Sequence, residues 1–282
     1  MQSRPVEKVR QGPVKVAMCN FIEDPGLLRS FAIEHGFDGI DWSFDMQNLP
    51  ETPREATRWV RDLKMLAPLE IRYHCPFPQL DIGHGDPLEQ RHAVGVFQRV
   101  IRLISKAGGG YLTIHVGLGR NTTRMLSWET TIERLNALVR YGEKHNVLLC
   151  LENLAWGWTA KPNLFEKLVR LTGAGVTFDI GHARACEAVQ TQQYACEDFV
   201  LPHMDRVFNA HVYHDEIEGM GHIPPGDVYD IEARLDVLME AGCRWWALEI
   251  REAEGLIKTR QVVCQYLQAV AGYPEIRSAA QH

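Results

Sequence analysis

Short apolar runs rich in β-branched residues recur along the chain, and each is followed by a longer segment with the periodicity of an amphipathic helix. This alternation is typical of strand–helix units that build a parallel sheet. The spacing of the runs is close to the ~30 residues needed for one strand, one helix and two loops. The eight predicted strands are residues 14–19, 37–42, 71–75, 111–116, 147–153, 176–180, 207–213 and 245–250.

Helical segments lie between the predicted strands. They are residues 24–35, 53–67, 87–107, 127–145, 163–172, 231–241 and 256–270, with a weaker helical pattern at 194–200. Asp24 and Pro25 supply a helix start signal. No Gly/Ser linker divides the units, so the pattern predicts an α/β fold with one (β/α)8 TIM barrel domain over residues 1–282, including an N-terminal extension (1–13) and a C-terminal tail (274–282). A doubly wound open sheet is the alternative, although no GxGxxG follows the first strand.

Composition narrows the classes of partner. The 30 basic and 36 acidic residues give a net charge of −6, which argues against nucleic acid or an anionic membrane surface as a partner and favours a small molecule. The sequence shows no apolar run of about 18 residues and no signal-peptide core. Seven cysteines without a CxxC pair indicate a reducing compartment. We therefore expect a soluble, cytoplasmic protein, with both a monomer and a homo-oligomer left open.

Polar residues end six of the eight predicted strands. In a barrel of this type the carboxyl ends of the strands form one rim, where the chemistry lies. That rim would collect imidazole and carboxylate groups from His74, His115, Glu152, Asp179, His211 and Glu249, with His182 just beyond strand six.

Carboxylates that follow apolar runs indicate a metal ion. Glu152 follows Leu-Leu-Cys-Leu and Glu249 follows Trp-Trp-Ala-Leu. Buried carboxylates that face one another repel unless a cation lies among them. We therefore expect one divalent ion at the rim. Carboxylate and imidazole ligands without a thiolate suit Mn²⁺, Mg²⁺, Co²⁺ or Zn²⁺ and do not by themselves choose among them.

Two carboxylates beside one metal ion also suit an isomerase or epimerase. Proton abstraction next to a carbonyl produces an enediolate, whose negative charge the metal stabilises, and a general base contributes roughly 10²- to 10⁴-fold. Glu152 and Glu249 are the predicted bases. Trp156 and Trp158 form either an apolar wall for a sugar or ordinary packing of a loop.

Six short segments lie in order on successive predicted strands: YHCPFP (73–78), IHVG (114–117), LEN (151–153), FDIGHA (178–183), HVYHD with HIPPG (211–226) and LEI (248–250). In this order they resemble the xylose isomerase-like barrel superfamily, specifically its sugar phosphate isomerase/epimerase group and the related zinc-dependent AP endonucleases. The resemblance covers nearly the whole chain. It implies a TIM barrel that acts on a small sugar or hydroxycarbonyl compound with a divalent metal ion.

The resemblance to ketose 3-epimerases implies roles for individual residues. One metal ion would be held by Glu152, Asp179, His211 and Glu249, and the two glutamates would also transfer the proton. His182 would contact substrate oxygens, and so would His222 before the Pro-Gly turn. We place these two histidines, together with His74 and His115, among the substrate-binding residues.

The resemblance to AP endonucleases implies a competing function. That branch binds three zinc ions, using histidines at the positions of His74 and His115 and an Asp-x-His pair after strand seven. Here His222 supplies the histidine of the pair, but Met220 takes the place of its aspartate, and Asp215 would have to reach around the loop. The missing ligand and the charge of −6 make DNA phosphodiester cleavage the weaker hypothesis. The retained His74 and His115 leave room for a second metal ion.

The leading hypothesis is therefore a divalent-metal-dependent sugar isomerase or epimerase. A dehydratase (lyase) of a keto-cyclitol would use the same enediolate chemistry, and the AP endonuclease-type phosphodiesterase is the other alternative. A barrel that binds a sugar or a metal without turnover is a further one. The loops do not identify the substrate or say whether it is phosphorylated.

Overall fold

Eight parallel strands close into a barrel in the computed structural model, which describes residues 12–117 and 123–271. Each predicted strand coincides with a barrel strand, so the (β/α)8 TIM barrel is confirmed and the doubly wound sheet is wrong. Residues 1–11 of the predicted extension and the whole predicted tail lie outside the described ranges. In the order in which they pair, the strands are β1 (Lys15–Cys19), β10 (Trp245–Leu248), β7 (Val207–Val212), β6 (Gly175–Asp179), β5 (Val147–Glu152), β4 (Gly110–Ile114), β3 (Glu70–Cys75) and β2 (Gly39–Ser43).

Helices surround the barrel, and the first begins at the predicted cap, Asp24. The Asp24 side chain accepts a hydrogen bond from the backbone N–H of Leu27, and Thr52 forms a reciprocal capping box with Glu55. Within the described ranges, no helix is both long and apolar enough to cross a membrane. The helices are α1 (Pro25–Glu34), α2 (Pro53–Lys64), α3 (Pro87–Ala107), α4 (Trp128–Glu143), α5 (Pro162–Thr172), α6 (Ile180–Ala185), α7 (Glu187–Gln190), α8 (Glu232–Glu240) and α9 (Ala253–Ala271).

The segment between β6 and β7 differs from the other connections. Instead of one helix near residues 194–200, it contains the short α6 and α7, followed by two 3-10 turns at Cys196–Phe199 and Leu201–His203. Gln192 has a φ of 57°, in the left-handed region, and this residue stops the helical path after α7. The weak helical pattern in the sequence reflects this broken course.

A hairpin follows β7, where the sequence suggested only a loop. Strands β8 (Asp215–Ile217) and β9 (Gly221–Ile223) pair antiparallel, with Glu216 opposite His222. Gly219 and Gly221 have φ values of 80° and 78°, which glycine adopts without the steric cost that a side chain would add. The tight reversal between the two strands therefore depends on glycine.

A polar layer crosses the middle of the barrel. The hydroxyls of Thr113 on β4 and Thr177 on β6 lie 2.7 Å apart, although β5 separates the two strands. The side-chain amide of Asn209 on β7 donates to both hydroxyls. Residues two positions further along these strands point to the same side of the sheet and reach the carboxyl-end rim.

Arg72 lies at the opposite end of the barrel, which we call the base. Its guanidinium is buried and donates to the side-chain oxygen of Asn209 at 2.5 Å and to Glu70 at 3.3 Å. It also lies 4.0 Å from the ring centre of Tyr111 and 4.6 Å from that of Trp245. The positive charge at the base is therefore met by groups of the protein itself.

Candidate metal centre

The rim brings the four predicted metal ligands together. Glu152 and Asp179 end β5 and β6, His211 lies near the end of β7, and Glu249 directly follows β10. One ligand atom from each lies within 4.8 Å of those of the other three, and all four side chains are buried. The parallel strands place these residues at one end of the barrel because each lies at or near the carboxyl end of its strand.

His211 lies at the centre of this group. Its Nδ1 is 2.9 Å from a carboxylate oxygen of Glu152, 3.5 Å from Glu249 and 3.8 Å from Asp179. Three carboxylates thus approach a single ring nitrogen. A nitrogen can hold only one proton, so this nitrogen cannot satisfy all three oxygens by hydrogen bonding.

A second group joins His74 and His115 to Glu152. The other oxygen of Glu152 lies 2.9 Å from Nε2 of His115 and 3.2 Å from Nε2 of His74. The two Nε2 atoms are themselves 2.9 Å apart. The opposite nitrogen of His74 lies 3.1 Å from Glu249, so His74 lies between the two predicted bases.

Asn153 fixes the main chain of Asp179. Its amide nitrogen donates to the Asp179 carbonyl at 2.8 Å, and its oxygen accepts from the Asp179 N–H at 2.9 Å. One oxygen of Asp179 caps α6 by accepting from the N–H of His182. A Cβ on Gly181 would lie 2.0 Å from the ring of Tyr213, so the FDIGH segment requires glycine at this position.

His182 faces the cluster from the start of α6. Its Nε2 lies 3.8 Å from Asp179 and 3.9 Å from Glu152, while its Nδ1 is 2.8 Å from Glu216 on the hairpin. Burial lowers the pKa of His182, but the charges of Asp179 and Glu216 outweigh burial and raise it to about 9. The ring of Trp156 packs edge-on against His182, with centroids 5.3 Å apart.

His222 reaches the same side of the barrel from β9. Its Nδ1 lies 2.7 Å from the main-chain oxygen of Glu249, and its ring stacks on Tyr213 with centroids 3.9 Å apart. Trp158, by contrast, packs against Trp128 of α4. Of the two tryptophans considered as a sugar wall, Trp156 is the one in contact with a predicted site residue.

The hairpin contains the position at which the AP endonucleases have the aspartate of the Asp-x-His pair, a ligand of their third zinc ion. Met220 lies at the turn with 71% of its surface exposed. Asp215, the conceivable substitute, accepts from the Arg184 guanidinium at 3.0 Å. Neither residue belongs to the clusters of metal-ligating side chains found in the described part of the chain.

Charge interactions inside the cluster oppose the effect of burial. Burial raises the pKa of Glu152, but nearby histidine charges, led by His211, hold it well below its ordinary value, and the pKa of Glu249 is lowered in the same way. Burial lowers the pKa of His74, and Glu152 and Glu249 outweigh it and raise the pKa to about 9. For Asp179, burial prevails and raises the pKa to about 6.

Several buried polar atoms of the rim lack a hydrogen-bond partner among the described residues. They are both carboxylate oxygens of Asp41, Nδ1 of His74, Oδ2 of Asp179 and Nε2 of His211. An unsatisfied buried polar group costs about 1 to 3 kcal/mol. A divalent cation bound by oxygen and nitrogen ligands would remove part of this cost. The buried His/Asp/Glu cluster therefore fits metal binding.

The sequence-based prediction missed two residues of the site. Asp41 lies on β2 and Glu216 on the hairpin. An acid within the apolar run Gly-Ile-Asp-Trp is costly to bury and could have drawn attention to Asp41. No comparable signal marks Glu216, because its contact with His182 depends on the hairpin that the sequence did not predict.

Comparisons with known proteins agree with this fold. A family model described as xylose isomerase-like TIM barrel matches residues 30–266. The uncharacterized protein MJ0008 of Methanocaldococcus jannaschii is 28% identical over 198 residues, which cover 70% of this chain and 80% of that protein. The crystal structure of a D-tagatose 3-epimerase-like protein aligns with a TM-score of 0.69 at 18% identity, covering 91% of this chain and 98% of the other.

Endonuclease IV from Thermus thermophilus also aligns, with a TM-score of 0.62 at 16% identity over 90% of this chain and 99% of the other. At such identities the two structures show a shared fold. The choice between their chemistries depends on the residues of the site.

Proposed function

Since the chain belongs to the xylose isomerase-like TIM barrel family, we propose that it is a divalent-metal-dependent isomerase or epimerase of a small sugar or hydroxycarbonyl compound. The observation that carries this proposal is the buried quartet of Glu152, Asp179, His211 and Glu249, whose ligand atoms lie within 4.8 Å of one another. A D-tagatose 3-epimerase-like protein shares this fold over 91% of the chain.

The quartet would hold one ion, which is Mn²⁺, Mg²⁺, Co²⁺ or Zn²⁺ by ligand type. A bound divalent ion supplies a Lewis acid that polarises the substrate carbonyl and offsets the negative charge of an enediolate. His211 contributes the nitrogen ligand, and the three carboxylates contribute oxygen ligands. Asn153 holds Asp179 in place through the two main-chain hydrogen bonds.

Glu152 and Glu249 would transfer the proton. Because their pKa values are lowered, both are carboxylates at neutral pH and can accept a proton. One carboxylate takes the proton from carbon, and the electron pair of the C–H bond moves into the enediolate. The other carboxylate, after taking up a proton from solvent, delivers that proton to the opposite face for epimerisation, and the first releases its proton to solvent. The two glutamates contact opposite nitrogens of His74, which supports their placement on two sides of one reaction space.

The remaining histidines would bind substrate oxygens. His182 has a raised pKa, so it carries a proton at neutral pH and can donate a hydrogen bond to a hydroxyl or carbonyl oxygen. His74, His115 and His222 are close to the glutamates and would contact the same molecule. Trp156 packs on His182 and would offer an apolar surface to a sugar ring.

Proton exchange from solvent tests this function. The protein loaded with about one divalent ion should incorporate deuterium from D₂O into an accepted ketose. Changing Glu152→Gln or Glu249→Gln should lower the exchange rate by about 10²- to 10⁴-fold, because each change removes a base. Glu143→Gln, at an exposed position on α4, is the matched control. Full exchange in both site variants would show that another group is the base.

The second candidate is a zinc-dependent phosphodiesterase of the AP endonuclease type. It is favoured by the group of His74, His115 and Glu152, which could hold a further ion. The exposed Met220 at the position of a zinc ligand weighs against it. Cleavage of an abasic-site duplex by protein with three zinc ions per chain would establish this candidate in place of the first. If mass spectrometry detects the loss of water from a keto-cyclitol incubated with the protein, the activity is that of a lyase.

A further inference from the structure

Asp41 is a buried carboxylate without an assigned role. It lies on β2, which supplied none of the predicted site residues, and it is only 1% exposed. Neither of its oxygens has a hydrogen-bond partner among the described residues. Its Oδ2 lies 3.3 Å from Nε2 of His211. A fully buried acid in this setting needs a positive or proton-donating neighbour, and the imidazole of His211 is in position to provide it.

The two nitrogens of His211 face different surroundings. Nδ1 is directed toward the three other quartet residues, with contacts of 2.9 to 3.8 Å. Nε2 is directed toward Asp41 on the other side of the ring. A neutral imidazole that binds an ion through one nitrogen keeps its proton on the other, and a carboxylate beside that proton fixes both the tautomer and the ring orientation.

A second imidazole, that of His74, belongs to the same group of potential ligands as Asp41. Its Nδ1 lies 3.1 Å from a carboxylate oxygen of Glu249. The His211 ring is completely buried, so solvent does not reach its Nε2. Nε2 of His211 lies 3.3 Å from Asp41 and has no other hydrogen-bond partner among the described residues, so a proton on this nitrogen would face the Asp41 carboxylate.

We propose that Asp41 is a positioning residue that keeps the proton of His211 on Nε2 and presents Nδ1 to the divalent ion. The inference rests on the proposed function insofar as an ion must bind the quartet. Asp41 would act on the ion only through His211, by setting which nitrogen is free and by holding the ring against rotation. This role of Asp41 does not involve the histidines proposed to bind substrate.

A double-mutant cycle on metal affinity tests the proposal. Isothermal titration of the full chain with Co²⁺ would compare the wild type, Asp41→Asn, His211→Gln and the double variant. Asp41→Asn should weaken binding by about 10- to 100-fold in the wild-type background. It should cause no further loss in the His211→Gln background, because the residue through which it acts is gone.

Asp81→Asn is the matched control, since Asp81 is also buried but accepts from the backbone N–H of Gly83 and lies outside the cluster. Its Co²⁺ affinity should equal that of the wild type. A loss as large as that of Asp41→Asn would trace the effect to removal of a buried charge and overturn the proposal.

An NMR measurement on the wild type tests the same proposal without depending on the folding of any variant. In Co²⁺-loaded protein with ¹⁵N-labelled histidine, the exchangeable ring proton of His211 should be on Nε2, and a proton on Nδ1 would overturn the proposal. If the losses of Co²⁺ affinity in the two single variants add up in the double variant, Asp41 acts independently of His211. That result would make Asp41 a direct ligand, together with His74, His211 and Glu249, and would overturn its positioning role. A wild type that binds no divalent ion would overturn the proposed function and this inference with it.

Discussion

The base and the rim of the barrel both bury charge, but they treat it differently. At the base, Arg72 donates to Asn209 and Glu70 and lies against two aromatic rings. At the rim, oxygens of Asp41 and Asp179 have no hydrogen-bond partner among the described residues. Buried charge that the protein itself satisfies holds the fold together, whereas a cluster of buried carboxylate and imidazole atoms without partners indicates a place for a ligand.

A polar layer separates these two regions. Thr113, Thr177 and Asn209 bond to one another across the barrel, and Asn209 also accepts from Arg72. The base is therefore linked to the middle layer by hydrogen bonds, while the rim begins two residues further along each strand. Changes at the base should affect folding stability, and changes at the rim should affect binding.

The largest expected effect is on stability, from a change at the base. Arg72→Leu leaves the oxygens of Phe208 and Asn209 buried without their donor, and we expect it to lower the free energy of unfolding by roughly 3 kcal/mol. Urea denaturation would measure the loss. Arg61→Leu, at an exposed surface pair with Asp62, should change stability by less than about 1 kcal/mol. The folded Arg72→Leu protein should still bind one ion. If this variant no longer binds an ion, ion binding at the rim depends on the base.

The next effect is that of the ion on stability. Because the ion of the proposed site would bind the folded rim and not the unfolded chain, a free concentration of 100 times its Kd should raise the free energy of unfolding by about 2.7 kcal/mol. Thermal denaturation with and without a chelator would show it as a reversible shift in Tm. The increment should be the same in Arg72→Leu. An equal stability with and without ion, at a measured occupancy of one, would contradict the assignment of the rim as the binding region.

The smallest effect concerns pH. Burial raises the pKa of Asp179 from 3.8 to about 6, so below pH 6 a proton occupies this ligand and competes with the ion. Affinity should therefore increase as pH rises toward 6, by up to about tenfold per unit for each proton released. Titrations between pH 5 and 7 would measure the slope. Asp179→Asn should flatten it in this range, and an unchanged slope would assign the competing proton to another group.

The barrel and the rim residues were predictable because they depend on local patterns. An apolar run marks each strand, and a polar residue at its end marks the rim, so residues such as Glu152 and Glu249 could be placed together without any contact being known. The roles assigned to them remain predictions, as does the identity of the metal.

The missed features depend on contacts between distant parts of the chain. Asp41 gains its significance from His211, which lies five strands later in sequence, and Glu216 from a hairpin that two glycines permit. The irregular course after β6 includes an extended residue, Cys186, between the two short helices and a left-handed residue, Gln192, after them. Periodicity carries no information about such pairings, because it describes only neighbours along the chain.

The amide of Asn153 holds the Asp179 main chain in a way that an acid at the same position could not reproduce. Its amide continues the pairing of β5 and β6 beyond their last paired residues, because it offers a donor and an acceptor side by side. Spontaneous deamidation would replace the donor with an oxygen that faces the Asp179 carbonyl. The changed chain would keep every side chain of the quartet and yet hold the main chain of Asp179 less firmly. Transplanting the site onto another barrel would likewise require this amide, although it binds no ion.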